Sequence, residues 1–414
     1  MTMSRIAGVL LGVTTLCLPG AAWSQAQTYV DLQGGLGYST NPLLVGGSNT
    51  GSAFARLSAY GFHGWTTERS QSSVSAYIEN STYFRRYSNT QIFSLNAQTS
   101  RSVSERVTVY GNLGFSGDFG GQLGSRFFSV PTAPVVANPA GPTAPAVPVP
   151  SAPGSFVPGD PDLFGLTSRQ YRLSGQLGAS VALSARDSMT VSAGAQHVFT
   201  GGDGRDLDYS QYDTSLGYER QINERLAWGG RLIAQYSDYT GGRSVTSIGP
   251  QATLRARLSE QWDVTAAAGF VHTREDRGPG EGNDSSIDLA VDGSVCRNLE
   301  SERICGRVAR RSQSTVLGGS STSTSAAFDY YRRLNARDTI QATASVSSAN
   351  GLRTLDIDQR STFYSLAGSY NRMLNDRLSA GANAAVRRLS RAGPDPRTDV
   401  GGSLYVRYRL GNVR

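Results

Sequence analysis

Leu183-Ser184-Ala185-Arg186-Asp187-Ser188-Met189 is the stretch on which the reading of the fold turns. Apolar residues alternate into it at Leu173, Leu177, Ala179, Val181 and Leu183, and out of it at Met189, Val191, Ala193 and Ala195. Successive side chains of a strand point to opposite faces, so two such runs joined by a few polar residues make a β-hairpin. The pattern returns at Val103-Ser104-Glu105-Arg106-Val107, Ile222-Asn223-Glu224-Arg225-Leu226 and Leu258-Ser259-Glu260-Gln261-Trp262. It returns again at Leu334-Asn335-Ala336-Arg337-Asp338 and Leu374-Asn375-Asp376-Arg377-Leu378. Most intervals are about 36 to 40 residues. Cys296-Arg297-Asn298-Leu299-Glu300-Ser301-Glu302 sits midway in the double interval from Ser259 to Asn335, and Thr67-Glu68-Arg69-Ser70 keeps step ahead of Ser104.

A repeat of this length would also suit a propeller or solenoid. Here each unit is a strand, a tight turn, a strand and a longer Gly/Ser/Asp-rich loop. Short turns at one end and long loops at the other are the pattern of an outer-membrane barrel. The expectation is an all-β, transmembrane, antiparallel up-and-down β-barrel of about eighteen strands over residues 27–414. Its least regular strand is expected at 303–310. A soluble all-β protein would have to bury the small polar residues on the second face of every strand.

Ahead of the barrel lies a leader over residues 1–26. Arg5 precedes an apolar run from Ile6 to Pro19, and small residues at Ala22, Ser24 and Ala26 predict cleavage after Ser24 or Ala26. Cys17 lies in the apolar run and is expected to leave with the leader. No later run approaches the length of an apolar helix that spans a membrane. The third outer loop, 116–170, is exceptional: residues 131–161 hold ten of the sixteen prolines. Such a tract cannot join a ladder. It is expected at the cell surface, exposed or folded into the lumen.

Every basic residue is arginine, and the net charge of +7 is modest. No basic stripe is interleaved with stacking aromatics, which argues against nucleic acid as a partner. Cys296 and Cys305 flank one turn, and in an oxidising compartment they read as a disulfide. A metal pair there would lack a nearby histidine. Gly201-Gly202-Asp203-Gly204-Arg205-Asp206 matches the start of a calcium-binding nonapeptide repeat, but it occurs once. No cofactor is expected.

Catalysis finds little support. His63, His197 and His272 are the only histidines, and parity puts all three on the lipid-facing row. Trp65, Trp228 and Trp262 share that parity next to turns, as an aromatic girdle would. Phe84, Phe93, Phe199, Tyr212, Tyr236 and Phe270 are expected to form the opposite rim.

Inward parity collects Arg231, Arg255, Arg257, Arg387, Arg407 and Arg409 with Tyr77, Tyr110 and Tyr405. Inward carboxylates include Glu79, Asp213, Glu219, Asp263, Asp288, Asp292 and Asp329. Cross-strand ion pairs that stiffen the wall should account for most of these. Arginines left over could recognise carboxylates, and aromatic faces could stack on sugar rings. Arg255, Arg257, Arg407 and Arg409 lie toward the turn end, where a polymer would enter during export.

The opening strand, Tyr29-Val30-Asp31-Leu32-Gln33-Gly34-Gly35-Leu36-Gly37-Tyr38-Ser39-Thr40-Asn41-Pro42, resembles that of the outer-membrane β-barrel porins associated with exopolysaccharide operons. The resemblance implies a Gram-negative outer-membrane conduit that exports or assembles an exopolysaccharide. Its implied partners are outer-membrane lipid, the barrel-assembly machinery, an acidic polysaccharide and periplasmic export components. General diffusion of small solutes is the alternative, and a non-conducting structural or adhesive barrel is another. The last strand alternates Val400, Leu404, Val406, Tyr408 and Leu410, similar to an assembly signal, but the chain ends Gly411-Asn412-Val413-Arg414 rather than on an aromatic.

Overall fold

A computed structural model describes residues 25–47, 50–118, 169–201, 208–240, 242–276, 278, 282–314, 319–350, 360–391 and 395–412. The strands are β1 (Gln25–Ser39), β2 (Ser52–Thr66), β3 (Ser70–Tyr83), β4 (Thr90–Ser102), β5 (Val107–Asp118) and β6 (Arg169–Ala182). They continue as β7 (Asp187–Gly201), β8 (Tyr209–Asn223), β9 (Leu226–Tyr239), β10 (Arg243–Arg257), β11 (Trp262–Asp276) and β12 (Asn283–Asn298). The last are β13 (Glu302–Ser314), β14 (Ser320–Arg333), β15 (Asp338–Ala349), β16 (Ser361–Met373), β17 (Leu378–Arg391) and β18 (Arg397–Asn412). Each strand pairs antiparallel with its neighbours in sequence, and β1 pairs with β18. The sheet is therefore a closed eighteen-stranded barrel with no edge strand to protect.

The recurring turn now has a physical cause. Ser184 Oγ accepts the backbone N–H groups of Arg186 (3.1 Å) and Asp187 (3.0 Å). Asn335 Oδ1 accepts those of Arg337 (2.8 Å) and Asp338 (3.0 Å), and Asn375 Oδ1 those of Arg377 (2.9 Å) and Leu378 (2.8 Å). A Ser or Asn at the first turn position thus satisfies two donors that the ladder leaves open. The carbonyl of the turn arginine accepts from the next hairpin: Ala182 N–H donates to Arg106, Gln221 to Arg186, Arg257 to Arg225, Met373 to Arg337 and Arg409 to Arg377. Backbone bonds of this kind tie one turn to the next around the turn end.

The strands run further toward the loops than apolar alternation suggests. β13 reaches Ser314 rather than ending near Arg310, because Arg311 and Ser312 pair with Ser323 and Thr322 of β14. Backbone ladder bonds continue past the apolar band, where the side chains no longer need to be apolar. Likewise β5 extends to Asp118 and β6 begins at Arg169, which trims the third outer loop from its expected 116–170. The leader, the proline tract and the Gly202–Asp206 part of the acidic glycine loop lie outside the described residues.

Candidate functional site: the inner wall

Facing residues in an antiparallel ladder share a face. The register therefore sorts each strand into an outer and an inner row. The outer row carries exposed aliphatic and aromatic side chains such as Leu36, Leu57, Leu177, Phe270, Ile287 and Leu404. Trp65, Trp228 and Trp262 lie in it near the turn end, and Tyr212 stacks on Tyr236 toward the loop end. His63 and His197 are in the same row, beside the hydroxyls of Thr28 (2.7 Å) and Ser210 (2.8 Å).

The inner row is polar and mostly paired. Arg409 grips Asp31 with two bonds, Nε to Oδ1 at 2.6 Å and Nη2 to Oδ2 at 2.7 Å. Arg56 lies 3.2 Å from Glu79, which also accepts Tyr77 Oη at 2.5 Å and Ser81 Oγ at 3.2 Å. Arg255 pairs with Glu219 (3.2 Å), Arg257 with Asp263 (3.5 Å) and Arg307 with Asp329 (3.6 Å). Three of the four arginines expected to meet a polymer are thus matched by carboxylates. Arg407 instead donates to Gln33 (3.4 Å), and Arg231 to Gln251 (2.8 Å). Neither has a carboxylate within 4 Å among the described residues. The sequence reading passed over inward Asp31, Glu275 and Asp399; parity along β1, β11 and β18 was the signal that would have found them.

The aromatic residues lie against the wall. Tyr29, Tyr60, Phe62 and Tyr77 form one buried cluster at β1–β3, with the Arg409 guanidinium 4.5 Å over the Tyr29 ring. Tyr110 faces Gly178 across β5 and β6, and Tyr405 faces Gly381 across β17 and β18. At Gly178, a Cβ would collide with the Tyr110 ring and hydroxyl. The glycine is the bed in which the ring lies flat, a close approach that any side chain would prevent.

Cys296 and Cys305 are bonded, with Cα atoms 4.1 Å apart. They face each other in register, and the same inner row continues to Asp263 on one side and Asp329 on the other. The bridge therefore lies on the inner wall just above its turn.

The loop joining β1 to β2 turns inward. Leu44 packs against Phe363 and Leu389 of the inner row and is only 1% exposed. Asn41 clamps the loop on itself, giving a bond to the Val45 carbonyl (2.9 Å) and accepting the Val45 N–H (3.0 Å). Asp399 accepts Ser39 Oγ (2.5 Å), the Asn41 N–H (2.8 Å) and Arg387 Nε (3.0 Å). Arg387 also donates to the Pro42 carbonyl, and Arg397 to that of Leu44, both at 3.1 Å. Arg387, a candidate for ligand contact, is the post to which this loop is tied. Leu43-Leu44-Val45, three apolar residues inside a Gly/Asn loop, was the available clue.

No family model and no curated protein sequence matches the chain. Among solved structures it is similar to OccK2 (OpdF) of Pseudomonas aeruginosa, at 12% identity and TM-score 0.46 over 94% of this chain and 99% of that one. A BenF-like porin from Pseudomonas fluorescens gives 12% and 0.44 over 94% and 99%. The ferric yersiniabactin uptake receptor FyuA of Yersinia pestis gives 12% and 0.41 over 91% and 63%. Likeness at this level assigns neither a ligand nor a direction of transport.

Proposed function

We propose that this chain is a conduit for polar solutes across the outer membrane of a Gram-negative bacterium. The observation that carries the reading is the contrast between the two faces of one closed sheet. Outside, Trp228 and Tyr236 of β9, and Trp262 and Phe270 of β11, are each about eight residues apart, roughly 26 Å along the strand. Tilting the strands by about 40° brings that to roughly 20 Å, close to the height of an apolar band between two aromatic girdles. Inside, the described wall is mainly ion pairs, amides, hydroxyls and flattened tyrosines, with apolar side chains gathered at the Leu44–Phe363–Leu389 contact and at Phe62. An interior as wide as eighteen strands holds water rather than a packed core. Purified protein added to a planar bilayer should give discrete, ohmic steps of current. Insertion without conductance would reduce it to a scaffold.

A second reading, export of an acidic exopolysaccharide, is supported by the Tyr29–Tyr60–Phe62–Tyr77 cluster beside the Arg409–Asp31 pair, together with the resemblance of the opening strand. Aromatic faces and an arginine at the turn end suit a uronate-bearing polymer. Deleting the gene should lower secreted polymer while leaving small-solute uptake unchanged. The reverse outcome selects general diffusion.

A further inference from the structure

The outer face of β12–β17 carries a groove of about 850 Å³ near the loop end. Two adjacent rows of the ladder line it. The row nearer the loops runs from Arg310 to Thr324, Ser348, Thr362 and Ser390, each facing the next across the sheet. Two residues closer to the turns, the row is Val308, Ala326, Val346 and Tyr364. Arg360 overhangs the polar row, its Nε donating to Ser348 Oγ at 3.0 Å. Small side chains at Ala326 and Ser348 keep the groove open between larger neighbours.

Its electrostatics are unusual for this barrel. Among the described residues neither Arg310 nor Arg360 has a carboxylate partner, whereas Arg56, Arg255, Arg307, Arg387 and Arg409 of the inner wall each have one. Arg310 Nε is shut off from solvent and has no hydrogen-bond partner. An unmade donor leaves the guanidinium undersatisfied, and an oxygen anion bound at its outer edge would offset that deficit. Directly below it the apolar row offers a slot for hydrocarbon.

We infer that this groove binds a phosphorylated, acylated glycolipid of the outer leaflet, with phosphate on Arg310 and Arg360 and an acyl chain along Val308, Val346 and Tyr364. The charge matches a phosphate, the hydroxyl row matches a sugar, and the change from polar to apolar matches the depth at which headgroup meets chain. The inference rests on the outer-membrane reading, with the long loops at the cell surface.

The test uses full-length barrel in detergent, incubated with lipid A and examined by native mass spectrometry. Dephosphorylated lipid A and phosphatidylglycerol serve as comparison lipids. Wild type should retain lipid A at least tenfold better than either comparison lipid, and Arg310→Gln/Arg360→Gln should lose that preference. Equal retention by the double variant, or of dephosphorylated lipid A, overturns the proposal. Equal retention of phosphatidylglycerol overturns the assignment to an outer-leaflet lipid. Bilayer insertion and conductance of the variant should match wild type. A wild-type protein that fails to insert at all sinks the membrane reading itself, a result distinct from loss of lipid preference.

Discussion

Arg409 and Asp31 face each other across the seam where the last strand meets the first, joined by two parallel bonds of 2.6 and 2.7 Å. The carboxylate is almost wholly buried, while the guanidinium is about a third exposed and lies over Tyr29. Removing the arginine strands a buried charge. Arg409→Ala should destabilise the barrel by about 2–3 kcal/mol, between the values for exposed and buried pairs. Arg409→Lys should recover only part, since an ammonium cannot make the two-toothed contact. The temperature at which the folded band disappears in heat-modifiability gels would read this. An Arg409→Ala barrel as heat-resistant as wild type would remove the seam pair from the list of stabilising contacts.

Tyr110 lies flat because Gly178 has no side chain. Gly178→Ala should tip the ring into the lumen and lower single-channel conductance. The double change Gly178→Ala/Tyr110→Ala should restore it to wild type or above. If Gly178→Ala leaves the current unchanged, the ring does not border the narrow part of the path.

Leu44 holds a left-handed backbone, φ 51°, with its side chain buried. That backbone costs roughly 1–2 kcal/mol, and burying the leucine returns about 1.5–3. The inward position of the first loop is therefore narrowly favoured. Leu44→Ala keeps the backbone cost and loses most of the burial, so the loop should detach and open-channel noise should rise. Leu44→Gly, which loses the burial but not the conformational ease, should fall between. Identical noise in all three proteins would mean that the Asp399 and Arg387 bonds alone secure the loop.

Selectivity should follow the arginines that lack carboxylates. Replacing Arg231 and Arg407 with glutamine should shift the reversal potential toward cations more than replacing Arg255 and Arg257, whose charges Glu219 and Asp263 already offset. Measurement in a salt gradient at low ionic strength maximises the difference, because salt screens such fields. An equal shift from both pairs would show that local pairing does not decide the preference.

Reducing the Cys296–Cys305 bridge should leave the barrel assembled, since eighteen ladders hold it closed. The short loop it closes limits its effect on the unfolded chain to about 2–3 kcal/mol. Protein made without residues 1–26, and so without Cys17, should therefore show no free thiol and a lower unfolding temperature after reduction. A free thiol in unreduced protein would contradict the bridge.

Strand number, strand parity and turn positions were legible in the sequence because each is a local consequence of chain chemistry. A period of two assigns a face, and Ser184 or Asn335 supplies the acceptor that closes a turn. The same parity placed Arg255, Arg407 and Tyr110 on the inner wall. Partners were not legible, because the side chains that meet across the wall are far apart in sequence: Asp31 with Arg409, Arg56 with Glu79, Ser39 with Asp399. Only the register, summed around a closed barrel, decides which arginine is neutralised and which, like Arg407, is not. The inward first loop has the same origin. Leu44 meets its buried partners Phe363 and Leu389 only when the β1–β18 seam closes beside β16 and β17, so its burial is a property of the closed sheet rather than of any segment.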